Sequence, residues 1–208
     1  MTTRTFIDIQ HVQRIRRIGL IMCAVPGLAA MTVMVPYWPI DGNLHHALEV
    51  TGLIMIAICI VGRTWSSLYI GGRKKSELVT IGPYSIMRNP LYTFTFVGVA
   101  GGGLQFGSFL LPFIVLAVAM IAFRLVVRQE EAFLRNEFGE PYDQYLQRVP
   151  RFIPNISLWH SPEHILISPR IVWRTFRDGL AFLLIIPFVE IFEHVIQSGL
   201  LPALFKIY

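Results

Sequence analysis

The chain alternates between long uncharged runs and short charged stretches, and the runs have bilayer dimensions. Ile18 to Ile40 holds no charged side chain over 23 residues. At a rise of 1.5 Å per residue such a helix is about 34 Å long, enough to cross a hydrocarbon core of about 30 Å. Leu44 to Ile70 is a second such stretch, with Glu49 near one end and Arg63 near the other. Asn89 to Phe123 is uncharged for 35 residues, about 52 Å as a helix and too long for one crossing. Glycines at 98, 101, 102, 103 and 107, with Gln105 and Ser108 among them, predict a bend near its middle. The run therefore reads as a helical hairpin over 90–127, with arms Pro90–Leu104 and Ser108–Val127.

Residues 128–178 change character. They carry charges, three prolines in PRFIPNISLWHSP and helix-sized pieces such as Glu130–Phe138, which predicts a surface subdomain. A last apolar stretch, 179–205, reads either as a span or as a helix lying in the interface. The expected fold is a single all-α integral membrane domain over 1–208 with about five transmembrane helices, the first at 18–40 and the second at 44–70.

Composition agrees with that reading. Hydrophobic residues make up 54 % of the 208 and charged residues only 15 %, against about 25 % charged in soluble domains. The first apolar run is too long for the h-region of a cleavable signal, and no small-residue cleavage site follows it. In the expected topology the N-terminal arm, the 63–88 loop and residues 124–177 share one side and hold 17 of the 18 Lys and Arg, leaving Lys206 opposite. This asymmetry predicts a cytoplasmic location for that face. The net charge of +5 then reads as contact with anionic lipid. No basic patch is interleaved with aromatics as a nucleic-acid partner would require. Cys23 and Cys59 lie inside apolar runs without CxxC or Cys/His spacing and read as packing residues.

Two polar stretches interrupt this pattern. The first is GPYSIMRNPLY, Gly82 to Tyr92, at the entry to the hairpin. Gly82-Pro83 signals a turn, and Asn89 before Pro90 signals a helix start with Asn as N-cap. Read structurally, this is a capped membrane helix with Arg88 snorkelling to phosphate. The second is RLVVRQEEAFLRNEFG, residues 124–139. If the hairpin closes, its Glu130-Glu131 pair lies beside Arg88 and Asn89. Adjacent residues on a helix point about 100° apart, so the two carboxylates cannot share one ligand atom. One is free to take a ligand while the other pairs with Arg128 or Arg135.

GPYSIMRNPLY, the Glu pair and FGEPYDQYLQRVPRFIP together resemble the isoprenylcysteine carboxyl methyltransferase family and the related phospholipid N-methyltransferases, over roughly Ser76 to Pro154. The resemblance implies an integral membrane enzyme using S-adenosylmethionine, with a core at 76–154, a cytoplasmic cofactor-binding subdomain and a lipid-like small-molecule substrate. It implies cofactor contacts at Ser76, Glu77, Leu78, Val79, Tyr84, Asn89, Pro90, Leu91, Tyr92 and Glu130, with Arg88 bracing the loop and Glu131 contacting the cofactor or supporting Glu130. The residue types suit that ligand. Helix-start N–H groups and the Asn89 amide suit its carboxylate, and Glu130 suits its ammonium or ribose hydroxyls. Tyr84 and Tyr92 are placed to pack on adenine or face the sulfonium.

Two positions depart from the family pattern. Phe94 stands where a glycine is frequent, and Val126 stands where enzymes that methylate prenylcysteine have an arginine facing the substrate carboxylate. Arg124 and Arg128 flank it as the basic groups able to substitute. Two other readings are a membrane reductase of related architecture using a nicotinamide cofactor, and a non-catalytic membrane protein that keeps the motif as a cap. No metal site is expected: His160 and His164 are four apart with Pro162 between them and no third ligand. In the tail, Glu190, Glu193, His194 and Gln197 form one polar stripe on an apolar helix. It reads as the lining of a substrate pocket with His194 as proton acceptor, or as the polar side of an interfacial helix or subunit seam.

Overall fold

The computed structural model describes residues 34–36, 39, 42–70, 77–198 and 205–207. Its regular structure is helical, apart from a short parallel pair between β1 (Met34–Pro36) and β2 (Phe205–Ile207). The expected first span, 18–40, lies outside the described residues except for that extended segment and Pro39. Among the described residues, three helical runs are long and apolar enough to cross a membrane: Asn43–Ile70, Leu110–Phe138 and Pro169–Gln197.

The first of these is α1, Asn43–Ile70, within one residue of expectation; two glycines follow it in sequence. A one-turn helix, α2 (Pro83–Ile86), opens the polar turn, and α3 (Pro90–Leu104) follows it. Its 15 residues reach only about 22 Å, short of a full crossing. The returning arm α4 runs from Leu110 to Phe138 without a break, so Glu130–Phe138 continues the hairpin and is not a separate surface piece. Arg135 in its last turn pairs with Asp143 at 2.6 Å, and Gly139 at φ 60 separates α4 from α5 (Glu140–Arg148). The outer face of α4 presents Phe113, Ile121 and Leu125, all more than half exposed, a surface that lipid solvates as well as protein does.

The last helical run also starts earlier than the apolar stretch suggests. Amphipathic α6 (Pro169–Leu180) packs along α1, then a 3₁₀ turn (Ala181–Leu184) leads into α7 (Ile185–Gln197). Pro187 explains the tightened turn, because it supplies no N–H to the carbonyl of Leu183 and its ring crowds that carbonyl.

The glycines do two different jobs. The bend lies at Gln105–Ser108, where Gly107 takes φ +61, a left-handed conformation that glycine adopts without strain. Gly98 and Gly101 remain inside α3 and form its seam with α1. A Cβ at Gly101 would lie 2.7 Å from the carbonyl oxygen of Gly52, and one at Gly98 would lie 2.5 Å from Cys59 Sγ. Phe94, the departure noted in the sequence, packs over Gly62, where a Cβ would come within 2.3 Å of the ring. Small residues at such crossings let backbones approach closely, which is how membrane helices gain packing energy.

Candidate active site

The turn before α3 is held by a strand-like return of the chain. Residues 150–160 run back over it, with Arg88 N–H donating to Pro150 O at 2.8 Å, Asn89 N–H to Arg151 O at 3.2 Å, Asn155 N–H to Ile86 O at 2.9 Å and Gly82 N–H to His160 O at 2.7 Å. Extended, proline-bearing chain leaves its carbonyls free, and the turn supplies the donor in three of these four bonds, Asn155 N–H running the other way. Trp159 stacks on Trp65 of α1 at 5.7 Å and Tyr145 donates to the Tyr84 carbonyl at 2.7 Å, fastening this layer at both ends.

Glu131 lies at the centre. Its carboxylate, 12 % exposed, accepts from Arg151 Nε at 3.0 Å, pairs with Arg88 Nη1 at 3.3 Å and receives the Asn89 amide at 3.4 Å. Arg151 Nη2 closes a second contact with its other oxygen, so one guanidinium grips the carboxylate in bidentate fashion. Asn89 occupies the N-cap position of α3, but its side chain makes no capping bond and turns to Glu131 and the Arg151 carbonyl instead. The expected cap is thus replaced by a cross-link between turn, α4 and the C-terminal return.

Glu130, one residue earlier, is half-buried and makes no hydrogen bond or ion pair among the described residues. It is near enough to Tyr142 to act on its phenol. Tyr142 and Tyr145 are buried together with Val149, and Leu78 packs on this cluster. Burial, reinforced by the charge of Glu131, pushes the Tyr142 phenol up to about 12, and burial raises Tyr145 as well. A raised phenol favours the fold while protonated. Stability is therefore expected to be flat with respect to these groups below about pH 10 and to fall as pH climbs toward the folded-state value. Thermal melts of detergent-purified protein between pH 8 and 12 test this, and Tyr142→Phe should flatten the alkaline limb.

The other expected residues are placed as follows. Tyr84 is buried in α2. Tyr92 sits in the α3–α4 core, its ring 5.3 Å from Phe123. Pro90 is buried and Leu91 half-buried, the Leu91 carbonyl receiving Thr95 at 2.7 Å. Glu77 is exposed, Val79 half-buried, and Ser76 lies outside the described residues. Arg124 and Arg128 are exposed on α4, while Val126 between them is 1 % exposed and packs inward. His194 is exposed on α7, which packs against Phe106 and Leu111 at the bend. The structure does not bring it to Glu131; the length of α3, about 22 Å, separates those two ends. Arg151 and the Tyr142–Tyr145 pair escaped sequence reasoning. For Arg151 a signal was present: one arginine between two prolines, in a stretch with no helical period.

The donor and acceptor set fits the cofactor that the motif implies. The side chain of Arg88 is 14 % exposed and its Nε is buried without a hydrogen-bond partner, an orphaned donor suited to a carboxylate. Glu130 is an uncommitted carboxylate suited to an ammonium or a diol. An open groove of about 730 Å³ borders Arg88, Val149, Pro150 and Asn155, a volume within the ordinary range of ligand sites.

Comparison with known proteins agrees with this architecture. Residues 48–141 match the family model described as phospholipid methyltransferase. The chain is 37 % identical over 157 residues to the nickel-cobalt-cadmium resistance protein NccN of Alcaligenes xylosoxydans xylosoxydans, covering 74 % of this chain and 73 % of that one. It is 33 % identical to the cobalt-zinc-cadmium resistance protein CzcN of Cupriavidus metallidurans, over 78 % and 76 %. It is also 33 % identical over 101 residues to the protein-S-isoprenylcysteine O-methyltransferase of Schizosaccharomyces pombe, covering 48 % of this chain and 43 % of that one. No solved structure gives a significant match. Among the described residues the fold is helical apart from one short strand pair, with three runs apolar enough to cross a membrane, and its matched region is of the methyltransferase type. The chain belongs to one family with the NccN and CzcN proteins, and about half of its length is related to the phospholipid and isoprenylcysteine methyltransferases.

Proposed function

We propose that the protein is an S-adenosylmethionine-dependent methyltransferase acting on a lipid-like substrate at the cytoplasmic face of the membrane. The observation that carries this reading is the pairing of an orphaned buried Arg88 donor with an uncommitted Glu130 carboxylate, across a turn locked by Glu131. When bound, the cofactor supplies an electrophilic methyl group on a sulfonium. The chain's own part is to bind and orient: Arg88 and Asn89 toward the methionyl carboxylate, Glu130 toward the ammonium or ribose hydroxyls, and the buried phenols of Tyr142 and Tyr145 keeping water from the site. Methyl transfer needs little covalent help from protein, so alignment and a dry environment carry most of the rate. Arg124 and Arg128, exposed on α4 within two turns of Glu130, are the substrate-side groups in this reading, where a carboxylate arriving from the lipid would meet them.

Calorimetry on detergent-purified protein tests it. Wild type is expected to bind S-adenosylmethionine. Glu130→Gln should weaken binding about tenfold, one charge-assisted contact, with the melting temperature unchanged. Folded wild type that takes up no S-adenosylmethionine would overturn the reading. A second reading concerns setting. Two relatives covering most of this chain are named for resistance to nickel, cobalt, zinc and cadmium, which supports a role for this methyltransferase in tolerance of such cations. A deletion strain should then lose growth on cobalt or cadmium; equal growth with and without the gene would remove that reading.

A further inference from the structure

At the opposite end of α3 from Glu131, three side chains converge that the methyltransferase site does not use. His45, in the first turn of α1, is 1 % exposed. Its Nε2 lies 3.1 Å from Glu193 Oε1 on α7 and 3.5 Å from Glu49 Oε1 one turn further along α1. Neither contact has hydrogen-bond geometry, and both ring nitrogens of His45 lack a hydrogen bond. The three ligand atoms lie within 4.8 Å of one another. A buried imidazole aimed at two carboxylates without bonding either is incomplete as a hydrogen-bonded core residue.

We propose that His45, Glu49 and Glu193 form a binding site for a divalent first-row transition ion, of the zinc, cobalt or nickel class. Spacing is the first argument. Two ligands about 2.1 Å from a tetrahedral ion stand about 3.4 Å apart, and the observed separations from Nε2 are 3.1 and 3.5 Å. Ligand chemistry is the second, since one imidazole with two carboxylates suits these ions better than calcium or magnesium, which take oxygen ligands throughout. Three protein ligands leave a fourth position open to water. Access is the third: Glu49 is 31 % exposed while His45 is sealed, so an ion enters past Glu49. His46, exposed on the same turn, holds the other Glu49 oxygen at 3.4 Å and fixes the carboxylate's orientation, as partners of metal ligands commonly do. Because Glu193 comes from α7 and the other two from α1, the ion would clasp the last helix to the second span. Glu193 is also the one member of the tail stripe that points inward; Glu190, His194 and Gln197 are exposed.

The test uses untagged, chelator-stripped full-length protein in detergent, titrated with Zn(II), Co(II) and Ni(II). Wild type should gain about 5–10 °C in melting temperature at a hundredfold excess over Kd, and Co(II) should give the intense visible absorption of a four-coordinate ion. His45→Gln and Glu193→Gln should each lose both signals, while Glu190→Gln, on the exposed side of α7, keeps them. Far-UV circular dichroism and gel filtration report whether each variant is folded, and S-adenosylmethionine binding measured in parallel keeps this test separate from that of the methyltransferase site. A folded wild type with no shift and no spectrum at millimolar cation overturns the proposal, and His45 is then the shared partner of two carboxylates. Signals that survive in Glu193→Gln overturn it too, by placing the ion elsewhere.

Discussion

Glu131→Ala should remove S-adenosylmethionine binding, by at least a hundredfold, and lower stability by about 3 kcal/mol. Its carboxylate is the common acceptor of Arg88, Asn89 and Arg151, groups drawn from the turn before α3 and from the C-terminal return. Truncation leaves Arg88, whose side chain is 14 % exposed, with an uncompensated charge. Breaking a buried pair from one side costs about 3–5 kcal/mol; the low end applies because Arg151 is 40 % exposed and rehydrates. Glu131→Gln should fall between the two, keeping one acceptor oxygen without the charge. The contrast with Glu130 is the informative part. Among the described residues Glu130 has no ion pair or hydrogen bond, so its loss should reduce affinity and leave the melt alone, whereas loss of Glu131 should reduce both together. Calorimetry and thermal melts on the same samples separate the cases. An Glu131→Ala protein that melts with wild type would mean that the three contacts do not hold the turn.

Much of this arrangement is legible in the sequence because it is carried by local signals. A long apolar run with a single charge near each end marks α1 to within a residue, and Pro90 marks the start of α3. The nearness of the Glu pair to the RNP turn follows from closing a hairpin of known arm length. What stays hidden is set by packing between distant segments. Nothing local distinguishes Glu130 from Glu131; their roles are decided by Arg151, twenty residues on, and by the path of residues 150–160 across the turn. The end of α4 is obscured because its last turns are charged, yet nothing breaks the helix before Gly139. The glycine cluster signals a bend and also hides a seam, since the same residue type serves both a left-handed turn and a close helix crossing. The tail stripe has the right period, but periodicity does not say which member turns inward, and Glu193 is identified only by its partner His45.

That seam yields the other large effect. Gly52→Ala should destabilise the bundle by about 2–4 kcal/mol, within the range for overpacking a rigid contact. A Cβ at Gly52 would stand 2.5 Å from the Gly101 carbonyl oxygen, 2.6 Å from Gln105 Nε2 and 3.1 Å from Leu104 Cβ. Backbone cannot swing aside as a side chain can, so α1 and α3 must separate. Separation also strains the bond from Gln105 Nε2 to the Glu49 carbonyl, now 2.7 Å, which ties the bend to α1 one turn before Gly52. Gly102→Ala is the matched control, since its Cβ would meet only Ile185 Cγ1 at 3.9 Å, an ordinary contact. There the better helix propensity of alanine should stabilise by about 0.5–1 kcal/mol. Unfolding both variants by detergent titration reads the difference directly: opposite signs place the α1–α3 crossing at Gly52 and Gly101, and a neutral Gly52→Ala would move it elsewhere along the two helices.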